Sequence, residues 1–109
     1  MSPTDPIWAA AYGPGVPAHL EYGDATLLDQ LERSVARFGP RPAYDFLGRT
    51  TTYAAFGEQV RRAAEGLRRL GVGAGDRVAL VLPNCPQNLI AFHAVLRLGA
   101  IVVEHNPLY

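Results

Sequence analysis

The residues that could do chemistry fall into a few short stretches. Gly71-Val72-Gly73-Ala74-Gly75-Asp76 has the look of a nucleotide loop. Such a loop must follow a strand and open a helix, so that backbone N–H groups and the helix N-terminus face the phosphates. Here the glycines follow a helical pattern and precede an apolar run, and their spacing also departs from the fingerprint. They read as a helix-to-strand turn, with Asp76-Arg77 as the polar lead into the strand. His93 lies inside an apolar helical stretch with no acid at helical spacing, which suits a hydrogen-bonded structural histidine over a general base. His105 stands between Glu104 and Asn106-Pro107, where a strand ends. Ends of parallel strands are where α/β proteins bind ligands, and one imidazole beside one carboxylate equally suits a turn. Cys85 before Pro86 could be a thiolate at a helix N-terminus, but with no local His or second Cys it reads as unreactive. Thr50 to Thr52 suit a β-strand better than a phosphate loop. Arg61, Arg62, Arg68 and Arg69, interspersed with Glu58 and Glu65, suit a solvated, salt-bridged helix face over an anion or nucleic-acid patch. No metal-ligand spacing occurs.

These residues need elements to hold them. Residues up to about Tyr22 form an irregular arm, because Pro3, Pro6, Pro14 and Pro17 with Gly13 and Gly15 forbid a long regular element. Trp8 and Tyr12 are placed to pin that arm onto a body. Ala25 to Phe38 reads as a helix, with Thr26 and Asp29 as cap and acid, Leu27, Leu31, Val35 and Phe38 as its apolar face, and Asp29 with Arg33 as an ion pair. Gly39-Pro40 stops it. Ala43 to Tyr53 suits a hairpin turning at Gly48. A second helix starts at the Thr52 cap, buries Phe56, Val60, Ala64, Leu67 and Leu70, pairs Glu58 with Arg62 and Glu65 with Arg69, and ends at Gly71. Arg77 to Leu82 is an apolar run without alternation, as in a strand covered on both faces. A third helix follows, capped by Asn84 or Cys85, with Pro86 in its first turn. It is apolar nearly all round to about Leu98, the mark of a helix buried between layers. Gly99 ends it, and Ile101-Val102-Val103 begins another strand. From Thr50 onward the order is β-α-β-α-β, the pattern of a parallel α/β sheet.

Composition narrows the function classes. Hydrophobic residues make up 49% and charged residues 18%, which is globular rather than disordered. Ten basic residues balance ten acidic ones, so neither a nucleic-acid surface nor a polybasic membrane anchor dominates. Every basic residue is arginine, which removes Schiff-base and Walker-lysine chemistry from these residues. The single cysteine, Cys85, rules out an internal disulfide and suits a reducing compartment. The start has neither a basic cluster nor an apolar stretch, so no signal peptide is expected. Leu89 to Val103, interrupted by His93, Arg97 and Gly99, falls short of the roughly 20 apolar residues that cross a bilayer. A cytoplasmic location without a transmembrane segment is the expectation.

Two parallel strands and a hairpin make a poor sheet by themselves, and the third helix wants cover on more than one side. An apolar strand left at an edge is an aggregation hazard. The pattern therefore predicts part of a larger domain; the alternative is that the arm and the first helix supply the cover.

Taken in order, the landmarks resemble a known family. Thr51-Thr52-Tyr53-Ala54-Ala55-Phe56 resembles the first core motif of adenylate-forming enzymes, with Ala55 and Phe56 where Glu and Leu are usual. Then come the Arg-rich helix, Gly71-Val72 with Gly75-Asp76-Arg77-Val78-Ala79, Leu82-Pro83-Asn84, the Pro86-Gln87 helix start, Leu98-Gly99-Ala100-Ile101-Val102-Val103, and Asn106-Pro107. The stretch from about Ala25 to Tyr109 is similar to the N-terminal piece of AMP-binding acyl-CoA synthetases, and Glu104 to Tyr109 looks most like fatty acid–CoA ligases. The resemblance implies an α/β fold: a partial parallel sheet with flanking helices, preceded by the arm, a helix and a hairpin. The residues themselves give an irregular arm over 1–22; the resemblance implies, over 23–109, the N-terminal part of an AMP-binding domain. For the parent enzyme it implies a fatty or other carboxylic acid, ATP and CoA as substrates, Mg²⁺, and an acyl-AMP intermediate. The family's phosphate loop, ribose-binding Asp and catalytic Lys come later in its pattern. The implied catalytic, cofactor-binding and metal-binding residues here are therefore none, and the segment alone is expected to be inactive, a scaffold for the remainder of its own domain. Two alternatives stay open: a small stand-alone α/β binding or interaction module, and an acyl-AMP ligase feeding a carrier protein.

Overall fold

Caps set the element boundaries. The computed structural model describes residues 2–109. Thr26 Oγ1 accepts from the Asp29 N–H at 3.1 Å, and the Asp29 carboxylate accepts from the Thr26 N–H at 2.9 Å. That reciprocal box opens α1, Leu27–Phe38. Asp29 is thus engaged by the cap; its expected ion pair with Arg33 is not formed. Strands β1, Pro42–Phe46, and β2, Arg49–Thr52, pair antiparallel around Leu47-Gly48. Leu47 at φ 51° and Gly48 at φ 80° give the two positive φ values of a type I′ hairpin turn. Thr52 ends β2 and at once caps α2, Tyr53–Arg69, its hydroxyl accepting from the Ala55 N–H at 3.2 Å. Strand β3, Arg77–Val81, helix α3, Pro86–Arg97, and strand β4, Ile101–His105, complete the chain.

Helices α2 and α3 stop in the same way. Gly71, at φ 97°, donates to Arg68 O while Val72 donates to Leu67 O. Gly99, at φ 71°, donates to Leu96 O while Ala100 donates to Val95 O. Both are Schellman closures, which need a residue without a Cβ in the left-handed region.

Sheet β3–β4 is parallel, as the apolar run predicted, with Arg77 opposite Ile101 and Val81 opposite His105. The hairpin forms a separate two-stranded sheet, so β2 does not extend the parallel one. The reason is local. With no loop between β2 and α2, the hairpin stays against the start of α2, where Tyr44 O–H donates to Gln59 Oε1 at 2.9 Å and meets the Phe56 ring edge-on.

The core sits where α1 and α3 pack on α2: Leu31, Phe56 and Val60, joined by Val35, Ala43, Tyr44 and Ile90. Helix α3 touches α2 and α1, and also β3 and β4, and buries Ala94 and Val95 completely. The first helix does supply cover, tied at its rim by Arg97 to Glu32 at 2.7 Å. The arm does not. Its one helical turn among the described residues, Ile7–Ala11, buries nothing, and Trp8 and Tyr12 stay 60% and 41% exposed, so the expected pinning is not made. Instead the arm closes on itself, with His19 Nε2 on Asp5 Oδ1 at 2.7 Å.

Candidate functional site

The parallel register decides which residues meet. It sets Glu104 opposite Leu80 and His105 opposite Val81, at the C-terminal ends of both strands. The chain leaving β3 runs through Leu82-Pro83-Asn84 to the Cys85 cap of α3, and the chain leaving β4 runs through Asn106-Pro107. Between these two exits lies an open groove of about 600 Å³, lined among others by Asn84, Asn88, Glu104, His105 and Asn106. A crevice outside the carboxyl ends of parallel strands is where this architecture holds ligands. A hydrogen-bonded turn borders the groove. Asn106 Oδ1 accepts from the Leu108 N–H at 2.9 Å and Asn106 O from the Tyr109 N–H at 3.1 Å, a side-chain-closed turn.

His105 and Glu104 are both exposed and share the groove with the amides of Asn84 and Asn88. Neither makes an ion pair among the described residues. Cys85 is partly buried at the helix start and makes no cap hydrogen bond. His93 is hydrogen-bonded, as expected: its Nδ1 lies 2.9 Å from Leu89 O, one helical turn back, and its ring stands edge-on to Phe56.

The glycine stretch forms the turn the sequence predicted. Asp76 organises it more fully than a polar lead-in would. Its carboxylate accepts from the Gly73 N–H at 2.8 Å, its N–H donates to Gly73 O at 3.1 Å, and its carbonyl accepts from the Ile101 N–H at 2.7 Å, starting the β3–β4 ladder. The arginine stretch is a salt-bridged face. Arg61 and Arg62 share Glu58, and Arg68 and Arg69 share Glu65. Hydrogen bonds from Arg68, then Arg69, hold the Glu65 carboxyl down at about 2. Thr50 to Thr52 form β2 and its helix cap, not a phosphate loop.

Asn88 was not singled out by sequence. The sequence signal is weak, since Gln87 beside it in the first turn of α3 is also a carboxamide. Among the described residues no three His, Cys, Asp or Glu side chains converge as metal ligands. With a single carboxylate in the groove and no lysine in the chain, these residues do not fit a magnesium–triphosphate site.

Comparison with known proteins places the geometry in context. The AMP-binding enzyme family matches residues 31–109. A long-chain-fatty-acid–CoA ligase of Bacillus subtilis is 40% identical over 102 residues, covering 94% of this chain and 18% of that protein. The 4-coumarate–CoA ligase 3 of Oryza sativa subsp. japonica is 42% identical over 86 residues, covering 77% of this chain and 16% of that protein. Among solved structures, NpsA–ThdA of Klebsiella oxytoca, an artificially fused adenylation–PCP di-domain NRPS, superposes with a TM-score of 0.72 at 30% identity, over 73% of this chain and 15% of that one. The chain thus spans less than a fifth of the length of the curated relatives it matches. The family match takes in α2, α3 and both strands of the groove, and by it the chain belongs to the AMP-binding enzymes.

Proposed function

We propose that the full-length protein is an ATP-dependent acid–CoA ligase acting on a fatty acid. The carboxylate attacks the α-phosphate of ATP, forming the acyl–phosphate anhydride bond and releasing pyrophosphate. The sulfur of CoA then attacks the acyl carbon, forming the thioester and expelling AMP. Charge develops on phosphate oxygens, which calls for pre-set donors and cations. The observation that carries the reading is the identity to a long-chain-fatty-acid–CoA ligase across nearly all of these residues, with every landmark in order.

In this reading residues 23–109 open the AMP-binding domain, and 1–22 are its arm. No residue among them touches the reacting atoms; they hold later loops in place and pack against the remainder of the domain. No helix among the described residues is long and apolar enough to cross a membrane, and we assign the protein to the cytoplasm. A carrier-bound thiol is the second acceptor to test, because the fold also matches an adenylation domain fused to a PCP.

Acid-dependent ATP–pyrophosphate exchange tests the reading. The full-length protein is expected to exchange with long-chain fatty acids and to form a thioester when CoA is added. The 109 residues by themselves are expected to give none. No exchange by the full-length protein sinks the ligase reading; robust exchange by the segment sinks the scaffold role. Thioester formed only on a carrier protein selects the second acceptor.

A further inference from the structure

Asp5 and His19 lie 14 residues apart, yet His19 Nε2 sits 2.7 Å from Asp5 Oδ1. The second carboxylate oxygen accepts from the Ser2 N–H at 2.6 Å, and the Asp5 N–H donates to Ser2 O at 3.0 Å. The Asp5 side chain is left only 15% exposed, against 60% for His19. The arm's remaining backbone hydrogen bonds are local: Ala9 N–H to Pro6 O, Tyr12 N–H to Ala9 O and Val16 N–H to Gly13 O. No residue from Ser2 to Tyr22 is buried. Among the described residues, the Asp5–His19 pair is therefore the one hydrogen bond or ion pair that closes residues 5–19 into a loop.

We propose that this pair is a pH-dependent clasp: the loop is held closed while His19 carries its proton and loosens once the imidazole is neutral. Imidazole is the side chain whose charge ordinarily changes between about pH 5 and pH 8. Protonated, it meets Asp5 as an ion pair; neutral, it can still donate one N–H, but without the charge. Asp5 stays an anion through that window, because the Ser2 N–H, then His19, hold its carboxyl below the usual carboxylate range. The carboxylate's contribution is lost only as the pH falls through that lowered value. Among the described residues no third charge pairs with either partner. The helical turn between them, Ile7–Ala11, carries no charge, and the arm's other titratable groups, Tyr12, Glu21 and Tyr22, make no bond to them. Pro6, Pro14 and Pro17 lie inside the loop and bias the released segment toward extended backbone. The clasp is independent of which acid or thiol the enzyme takes.

Limited chymotrypsin digestion of the full-length protein tests the clasp, with cuts after Trp8 and Tyr12 read by mass. Both side chains lie inside the loop and are exposed. The comparison is His19→Gln, which keeps a neutral donor and takes up no proton. Dividing the wild-type rate by the variant rate at each pH cancels the protease's own pH response. The wild type should be cut about two- to fivefold more slowly than the variant at about pH 5.5, and the rates should converge at about pH 8.5. Asp5→Asn should lose the same pH dependence. A wild-type-to-variant ratio that is equal at both pH values overturns the proposal, as does a wild type cut faster at the lower pH. So does resistance of Trp8 and Tyr12 to cutting throughout in both proteins, since something other than this pair would then hold the loop.

Discussion

Leu47 shows how a single residue can be set against its neighbours. It sits at φ 51° and is 90% exposed, so no packing compensates its left-handed backbone. A non-glycine residue in that region costs about 1–2 kcal/mol, less for Asn, whose short polar side chain tolerates it. Leu47→Asn is therefore expected to stabilise the protein by about 0.5–1 kcal/mol, read as a higher denaturation midpoint at unchanged slope. A lower midpoint would show that Leu47 is held by contacts elsewhere in the full-length protein. The charged residues call for a different account. Glu58 and Glu65 each bridge two exposed arginines, and such pairs add little to stability. Four arginines against two glutamates still leave this helix face net positive.

Among the elements, α2 is the organiser, and two of its glycines separate packing from propensity. Gly57 is buried, and a Cβ there would lie 3.0 Å from Val35 Cγ2 of α1. Gly66 has nothing within 4 Å of where its Cβ would be. Alanine in place of a mid-helix glycine gains about 0.5–1 kcal/mol from backbone entropy alone. Gly66→Ala, in the last turn of α2, should show a gain toward the lower end of that range. Gly57→Ala should show less than that or a net loss, because α1 must shift or Val35 must change rotamer. Adding Val35→Ala to Gly57→Ala should reverse part of the deficit, a coupling that a double-mutant cycle measures. Equal gains at both glycines would mean that α1 does not press on α2 there.

At the scale of the whole molecule, the surface is too large for the chain. A compact monomer of this mass exposes about 5,900 Å², whereas the chain exposes 8135 Å². Its radius of gyration is 18.2 Å, against about 13 Å for a compact domain of this length. Part of the excess is the arm. Part is the outer face of β3–β4, where Val81 and Ile101 are 57% and 46% exposed, although parallel sheets are ordinarily covered on both faces. The isolated 109 residues are accordingly expected to bind an apolar-surface dye and to unfold over a broad transition. A sharp transition without dye binding would contradict that expectation. What the sequence determined by itself were the elements and their ends: Thr26 and Thr52 as caps, Gly71 and Gly99 as stops, Pro86 in a first turn, and the apolar run of β3. These follow from contacts a few residues apart, which the order of residue types expresses directly. The ordered landmarks carried the family in the same way. Only the tertiary structure decided that α1 covers α3, that Arg97 reaches Glu32, that the hairpin stays out of the parallel sheet, and that Asn88 Oδ1 is sealed without a donor. Each depends on groups distant in sequence competing for the same space, and no local pattern encodes which of them arrives.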